Sequence, residues 1–157
     1  MIDSKRRILL KGSLAAGSVG VAIGAGLLSP RLVLADWNEA AFTAKDVPSA
    51  LSSLLGGDAT ESSDAIQIKA PDIAENGAVV PVTVETSLEG VKSIAIIASG
   101  NATPLVASFD LGEAALPFVS TRIKMGKTAD VVAVVQTGDK LLSNAKNVKV
   151  TIGGCGG

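Results

Sequence analysis

Beyond Thr60 the chain is a series of short β-branched runs, interrupted at intervals of roughly ten residues by turn formers. In Val80, Val82 and Val84 apolar residues occupy every second position, with Pro81 and Thr83 between them. Val148, Val150 and Ile152 repeat the pattern against Lys149 and Thr151. A period of two puts all of one set on a single face, so these are strands with one face buried. The pattern predicts strands at 65–70, 78–85, 92–99, 105–110, 118–124, 129–137 and 147–152. The breaks are Glu75-Asn76-Gly77, Glu89-Gly90, Gly100-Asn101, 110–117, Gly126-Lys127 and Thr137-Gly138-Asp139, each with residues suited to tight or left-handed turns. Strands of this kind predict an all-β domain of two packed antiparallel sheets.

Two departures from the alternation matter. Over 36–55 the apolar positions Ala40, Ala41, Phe42, Val47, Ala50, Leu51, Leu54 and Leu55 recur three and four apart. That spacing predicts two short helices, broken near Pro48 and ended by Gly56-Gly57. Trp37, the single tryptophan, is expected to pack as an anchor rather than to stack on a ligand. The second departure is that 93–98 and 131–135 are apolar on both faces, while aromatic bulk is sparse (Trp37, Phe42, Phe109, Phe118, no Tyr). A central strand covered on both sides explains this, and so does a sheet whose outer face docks on another subunit. Docking is the favoured expectation for at least one of the two segments.

The front of the chain is different in kind. Residues 1–35 carry Lys5, Arg6, Arg7, Lys11 and Arg31 against one acid, Asp3, and no charge falls between Gly12 and Leu28. The run Arg6-Arg7-Ile8-Leu9-Leu10-Lys11 fits a twin-arginine export signal. Its apolar stretch is diluted by Gly17, Gly20, Gly24 and Gly26 and closed by Pro30, so it reads as a removable leader more than as a membrane anchor. Val33-Leu34-Ala35 sets the expected cleavage before Asp36, giving a leader at 1–35, a domain at 36–152 and a tail at 153–157. The leader takes five of the 14 cationic residues and one of the 15 acidic ones. The exported chain is then acidic, at about −5, which argues against nucleic acid as a partner. Once cleaved it has no expected membrane attachment, and its compartment is the periplasm.

The chain ends Gly153-Gly154-Cys155-Gly156-Gly157, so its one cysteine stands in a glycine tail two residues from the carboxyl terminus. Glycine brings no side chain to shield a thiol and adds nothing a core can bury, so the ending predicts a flexible arm. An extended chain spans ~3.3 to 3.6 Å per residue, so the sulfur can travel on the order of 10 Å from the last strand into a narrow cleft on another protein. No His occurs in the chain and neither neighbour of Cys155 is basic, so nothing local activates the thiol. It reads as an attachment point, not as a catalyst. Prenylation requires aliphatic residues after the cysteine, and two glycines follow instead. An incidental cysteine in a disordered tail is the plain alternative.

Other chemistry is poorly supplied. One Cys and no His leave metal clusters, haem attachment and zinc without ligands, so no cofactor is expected. Twin-arginine export of a folded protein then points to a folded partner. In an oxidising compartment a single exposed thiol pairs, reacts or is carried. Asp110 and Glu113 lie in a Gly/Pro-bounded loop and read as solvated acids, not as a catalytic pair. Gly153-Gly154 follows a strand but precedes no helix, which removes a phosphate cradle. Asn101-Ala102-Thr103 matches the glycosylation acceptor pattern, a chance match in a bacterial-type chain. Arg122, Lys124 and Lys127 form a small basic group: solvation is the default, attraction of an anionic substrate the sharper reading.

With these features assembled, the chain resembles the SoxY family, sulfur carriers of the periplasmic sulfur-oxidation system. The tail from Gly153 to Gly157 is the specific mark. The likeness extends through Ala70-Pro71, Ala74-Glu75-Asn76-Gly77 and Val80-Pro81-Val82, then Asn101 with Pro104-Leu105 and Ala107-Ser108-Phe109, and finally Val148-Lys149-Val150-Thr151-Ile152. Asn101-Ala102-Thr103-Pro104 is longer than the Asn-Pro of many relatives. The resemblance implies an immunoglobulin-like antiparallel β-sandwich bound as a heterodimer to a second small β protein, SoxZ. It also implies a non-enzymatic cycle on Cys155. A c-type cytochrome enzyme, SoxAX, joins thiosulfate to the thiol, a hydrolase, SoxB, releases sulfate, and SoxCD or a transfer step clears the remaining sulfur. Two rival readings stand beside it: a carboxyl-terminal sulfur carrier activated at Gly156-Gly157, which export away from cytoplasmic ATP disfavours, and an assembly module cross-linked through Cys155.

Overall fold

The computed structural model describes residues 38–138 and 140–151, all within the unit Trp37–Gly157. The expected leader with Arg6 and Arg7, its cleavage point and the Trp37 anchor lie outside the described residues.

Two helices come first, α1 (Glu39–Thr43) and α2 (Val47–Leu55). The break between them, expected near Pro48, falls at 44–46, and Pro48 itself stands in the first turn of α2. There its missing N–H costs nothing, because the first turn has no intrahelical acceptor for it. Asp46 caps α2, its Oδ1 accepting from Ser49 N at 2.8 Å and its Oδ2 bonding Ser49 Oγ at 2.9 Å. These two bonds, the backbone one foremost, hold the Asp46 carboxyl below its ordinary value. At the other end Gly56 takes φ 76° and donates its N–H to the Ser52 carbonyl, closing the helix as the sequence predicts.

The strands follow as β1 (Glu61–Ser62), β2 (Ile66–Lys69), β3 (Ile73–Ala74), β4 (Val80–Thr86), β5 (Val91–Ala98), β6 (Leu105–Asp110), β7 (Phe118–Ile123), β8 (Ala129–Thr137) and β9 (Lys140–Val150). They form two sheets, one ordered β1-β9-β8-β5-β6 with β3 also on β9, the other β2-β4-β7. The expected β-sandwich is present. The last strand starts at Lys140, well before the predicted 147, because Gly138 at φ 57° turns the chain straight back from β8 and pairs Thr137 with Lys140. Two short strands, β1 and β3, escape the alternation pattern and pair with β9 in parallel.

β5 and β8 explain the segments that are apolar on both faces. Ile94, Ile96 and Ala98 with Val131, Ala133 and Val135 point into the sandwich, against Val80, Val82 and Val84 of β4. The intervening Ala95, Ile97 and Val134 point the other way and are covered by Ala41, Ala50 and Leu51 of α1 and α2. The expectation that such a face docks on another subunit is therefore corrected, since the chain's own helices close it. Burying a side chain such as Ile97 on that face stabilises the fold by roughly 1.5–3 kcal/mol. The solvent-facing sheet is the small one, where Lys69 pairs with Glu85 at 2.6 Å and Thr83 with Ser120 at 2.9 Å across neighbouring strands.

Candidate functional site: the root of the carboxyl-terminal arm

β9 carries the chain toward its end, and its last residues are held from both sides. On one edge Lys149 N donates to the Asp72 carbonyl at 3.0 Å and Thr151 N to the Ala74 carbonyl at 3.1 Å, the β3 pairing. On the other edge the ladder to β8 ends at Ala129–Val148, and Thr128 continues it with a side chain. Its Oγ1 accepts from Val150 N at 2.9 Å and donates to Val150 O at 3.4 Å. Thr151, exposed, is thus the last described residue before the tail, and its backbone is fixed.

The root rests on a cradle of loops. Met125, fully buried, donates its N–H to the Gly77 carbonyl at 2.7 Å. Asn101 fixes the neighbouring loop, donating from Nδ2 to the Lys124 carbonyl at 2.7 Å and accepting at Oδ1 from Gly126 N at 2.9 Å. The Asn101 amide is therefore occupied in tying two loops together. Farther up β9, Asn144 Nδ2 donates to the Ile66 carbonyl at 2.7 Å, and Lys146 Nζ reaches the Ala70 carbonyl at 2.7 Å and Asp72 at 3.1 Å. These two polar side chains satisfy the stretch of backbone that crosses between the sheets around β2.

Cys155 and its glycines Gly153, Gly154, Gly156 and Gly157 lie outside the described residues, as does Ile152. The other candidates are scattered. Asp110 closes β6 and Glu113 is exposed in the following loop. Arg122 stands on β7 opposite Pro81 and is exposed, as is Lys124 two residues on, while Lys124 and Lys127 line a cleft with Asn101. Among the described residues no three His, Cys, Asp or Glu side chains converge as a metal site, and no helix is long and apolar enough to cross a membrane. Sequence reading missed the hydroxyl clamp at Thr128 and the cradle at Gly77, which it took as a turn residue. The one available signal was the threonine just before a strand, too common to single out.

The sequence matches the family described as Sulfur oxidation protein SoxY over residues 51–155. The chain belongs to the SoxY family. The SoxY match spans β1 to β9 and runs on to the tail cysteine. Among solved structures, the sulfur carrier protein SoxY from Chlorobium limicola f thiosulfatophilum is 50% identical, covering 66% of this chain and 94% of its own, with a TM-score of 0.60. The superoxide reductase neelaredoxin from Ignicoccus hospitalis, 15% identical over 59% of this chain and 95% of its own, has a TM-score of 0.52 and shares the SoxY fold alone. A search of curated proteins gave no match.

Proposed function

We propose that this protein is a covalent sulfur carrier whose Cys155 thiol holds thiosulfate-derived groups and presents them to partner enzymes. The observation that carries the reading is a family match that includes residue 155, on a chain whose last strand is pinned on both edges up to Thr151. Three residues, Ile152, Gly153 and Gly154, stand between that fixed point and Cys155, four Cα steps that span roughly 13 Å when extended. A carrier needs this combination of a fixed base, reach and an unshielded nucleophile.

In the first step the thiol sulfur bonds to the outer sulfur of thiosulfate. Cys–SH and S₂O₃²⁻ give Cys–S–S–SO₃⁻, one proton and two electrons, and a c-type cytochrome enzyme accepts the electrons. Hydrolysis then breaks the bond to the sulfonate. Water adds oxygen to that sulfur, sulfate leaves, and Cys–S–S⁻ and two protons remain. The chain supplies the thiol, and activation comes from the partner's site. Export through the twin-arginine signal at Arg6 and Arg7 into the periplasm, and pairing with a SoxZ-like subunit, belong to the same reading.

The test is intact mass of the protein after incubation with thiosulfate and the oxidising cytochrome enzyme. The expected result is an added S₂O₃ group on the native chain and none on Cys155→Ser. Equal loading of the serine variant, or a disulfide dimer with no adduct, overturns the proposal.

A further inference from the structure

Close to the root of the arm, two loops face each other across a cleft of about 560 Å³, with Asn101, Ala102 and Thr103 on one wall and Lys124, Gly126 and Lys127 on the other. The lining residues include two lysines and no acid. Among the described residues neither lysine forms an ion pair, although the same chain pairs Lys69 and Lys146 with acids. Asp130, the acid nearest in sequence to Lys127, accepts from Asn147 Nδ2 at 2.8 Å.

The cleft is built, not a chance gap between loose loops. The two Asn101 bonds tie its walls together at 2.7 and 2.9 Å. The stem of Lys127 lies over Gly100, where a side chain would come within 3.1 Å of Lys127 Cγ and Cε and 2.6 Å of the Ala129 Cβ. A glycine at 100 thus leaves the space in which Lys127 is laid along the wall. The cleft also lies near the end of β9. Lys127 is the residue before Thr128, whose hydroxyl holds Val150 at 2.9 Å, so the cationic wall begins one Cα step and one hydrogen-bonded contact, on the order of 10 Å, from the end of β9. The roughly 13 Å available between Thr151 and Cys155 exceeds that distance.

We propose that this cleft is a resting site for the sulfonate-bearing group on Cys155 of the same chain. The proposal rests on the reading of Cys155 as the carrier thiol. Two exposed lysines hold a free anion weakly, but a tether of this length presents its end group at an effective concentration on the order of millimolar. Both lysines line the one cleft, and charges act over ~8 Å at physiological salt. A cleft of two cations and no acid therefore discriminates by charge: the thiosulfonate docks, and the unloaded thiol, which has no such charge, does not.

The adduct can be made without any partner enzyme. The Cys155 thiolate attacks a central sulfur of tetrathionate, an S–S bond forms to give Cys–S–S–SO₃⁻, and thiosulfate leaves with the electron pair of the broken bond. Amide NMR spectra of the full ¹⁵N-labelled chain are then compared for the thiol, this adduct and the neutral carbamidomethyl derivative. The expected result is movement of the Asn101, Gly126 and Lys127 signals with the anionic adduct alone. That movement is lost in the Lys124→Gln/Lys127→Gln double variant, whose thermal midpoint is unchanged, and is reversed by high salt. Shifts confined to the tail, equal shifts with the neutral derivative, or shifts produced by free thiosulfate but not by the adduct overturn the proposal. Because loading here is chemical, failure of the enzymes to load Cys155 would sink the carrier reading without altering this measurement.

Discussion

Gly77 lies so close to Val150 that a methyl group at position 77 would sit 2.7 Å from the Val150 Cγ1, and it would also press on the Met125 carbonyl oxygen. The contact fixes the loop before β4 beneath the last turn of chain before the arm. Gly77→Ala is expected to force these atoms apart at a cost of roughly 1–3 kcal/mol, the usual range for overpacking. Urea unfolding should show a lower midpoint with chemical loading of Cys155 intact, and an unchanged midpoint would refute the contact.

The helical cover over β5 and β8 makes a second prediction. Leu51, 4% exposed, packs on the outer face of the large sheet with Ala95, Ile97 and Val134. Leu51→Ala should destabilise the protein by about 2–5 kcal/mol, from lost transfer energy plus the cavity left behind. It should also loosen α1 and α2 enough to raise binding of a hydrophobic dye. A loss under ~1 kcal/mol would mean that the helices contribute little cover.

The Asn101 clamp is testable by amide hydrogen exchange. Asn101→Ala removes the acceptor of Gly126 N–H and the donor to the Lys124 carbonyl. A net loss of about 1 kcal/mol per hydrogen bond is expected, and Gly126 should exchange about five- to tenfold faster while strands β4 and β8 keep their protection. Uniform acceleration throughout the chain would instead indicate a global effect.

Asp46 gives a pH dependence whose sign follows from its capping bonds. Its carboxyl is held below the ordinary value in the folded protein, by the Ser49 N–H first and the Ser49 hydroxyl second. A depressed folded value means that the contribution is complete above the ordinary carboxylate range, near pH ~4, and is lost as the pH falls through the lower folded value. The thermal midpoint of the native chain should exceed that of Asp46→Ala at neutral pH, with the gap narrowing in acid. A gap that widens in acid would contradict the cap.

Where the alternation was clean, as in Val80, Val82 and Val84, the sequence placed strands to within about two residues, because burial of one face leaves a period of two that nothing else imitates. It failed where another force shaped the pattern. The first half of β9, Leu141-Leu142-Ser143-Asn144-Ala145-Lys146, does not alternate, because Asn144 and Lys146 are chosen for carbonyls on the neighbouring strand crossing. β1 is Glu61-Ser62, too short and polar to leave any hydrophobic trace. The doubly apolar strands were legible as such, yet nothing local says whether the cover is a partner or the helices already visible upstream. Cys155 stands out in the sequence by its glycine neighbours and lies outside the described residues, whereas the clamp at the end of β9 depends on the nonlocal meeting of Thr128 with Val150.

The pairing of β9 has a mechanical consequence. Its register with β8 runs without a shift from Ala129–Val148 to Thr137–Lys140, and β3 grips the opposite edge at Lys149 and Val150. A tug along the axis of β9 loads these bonds in shear and all together instead of peeling them one at a time. An enzyme that seizes the terminal peptide can therefore strain against it during chemistry or release without unravelling the body to which it is attached.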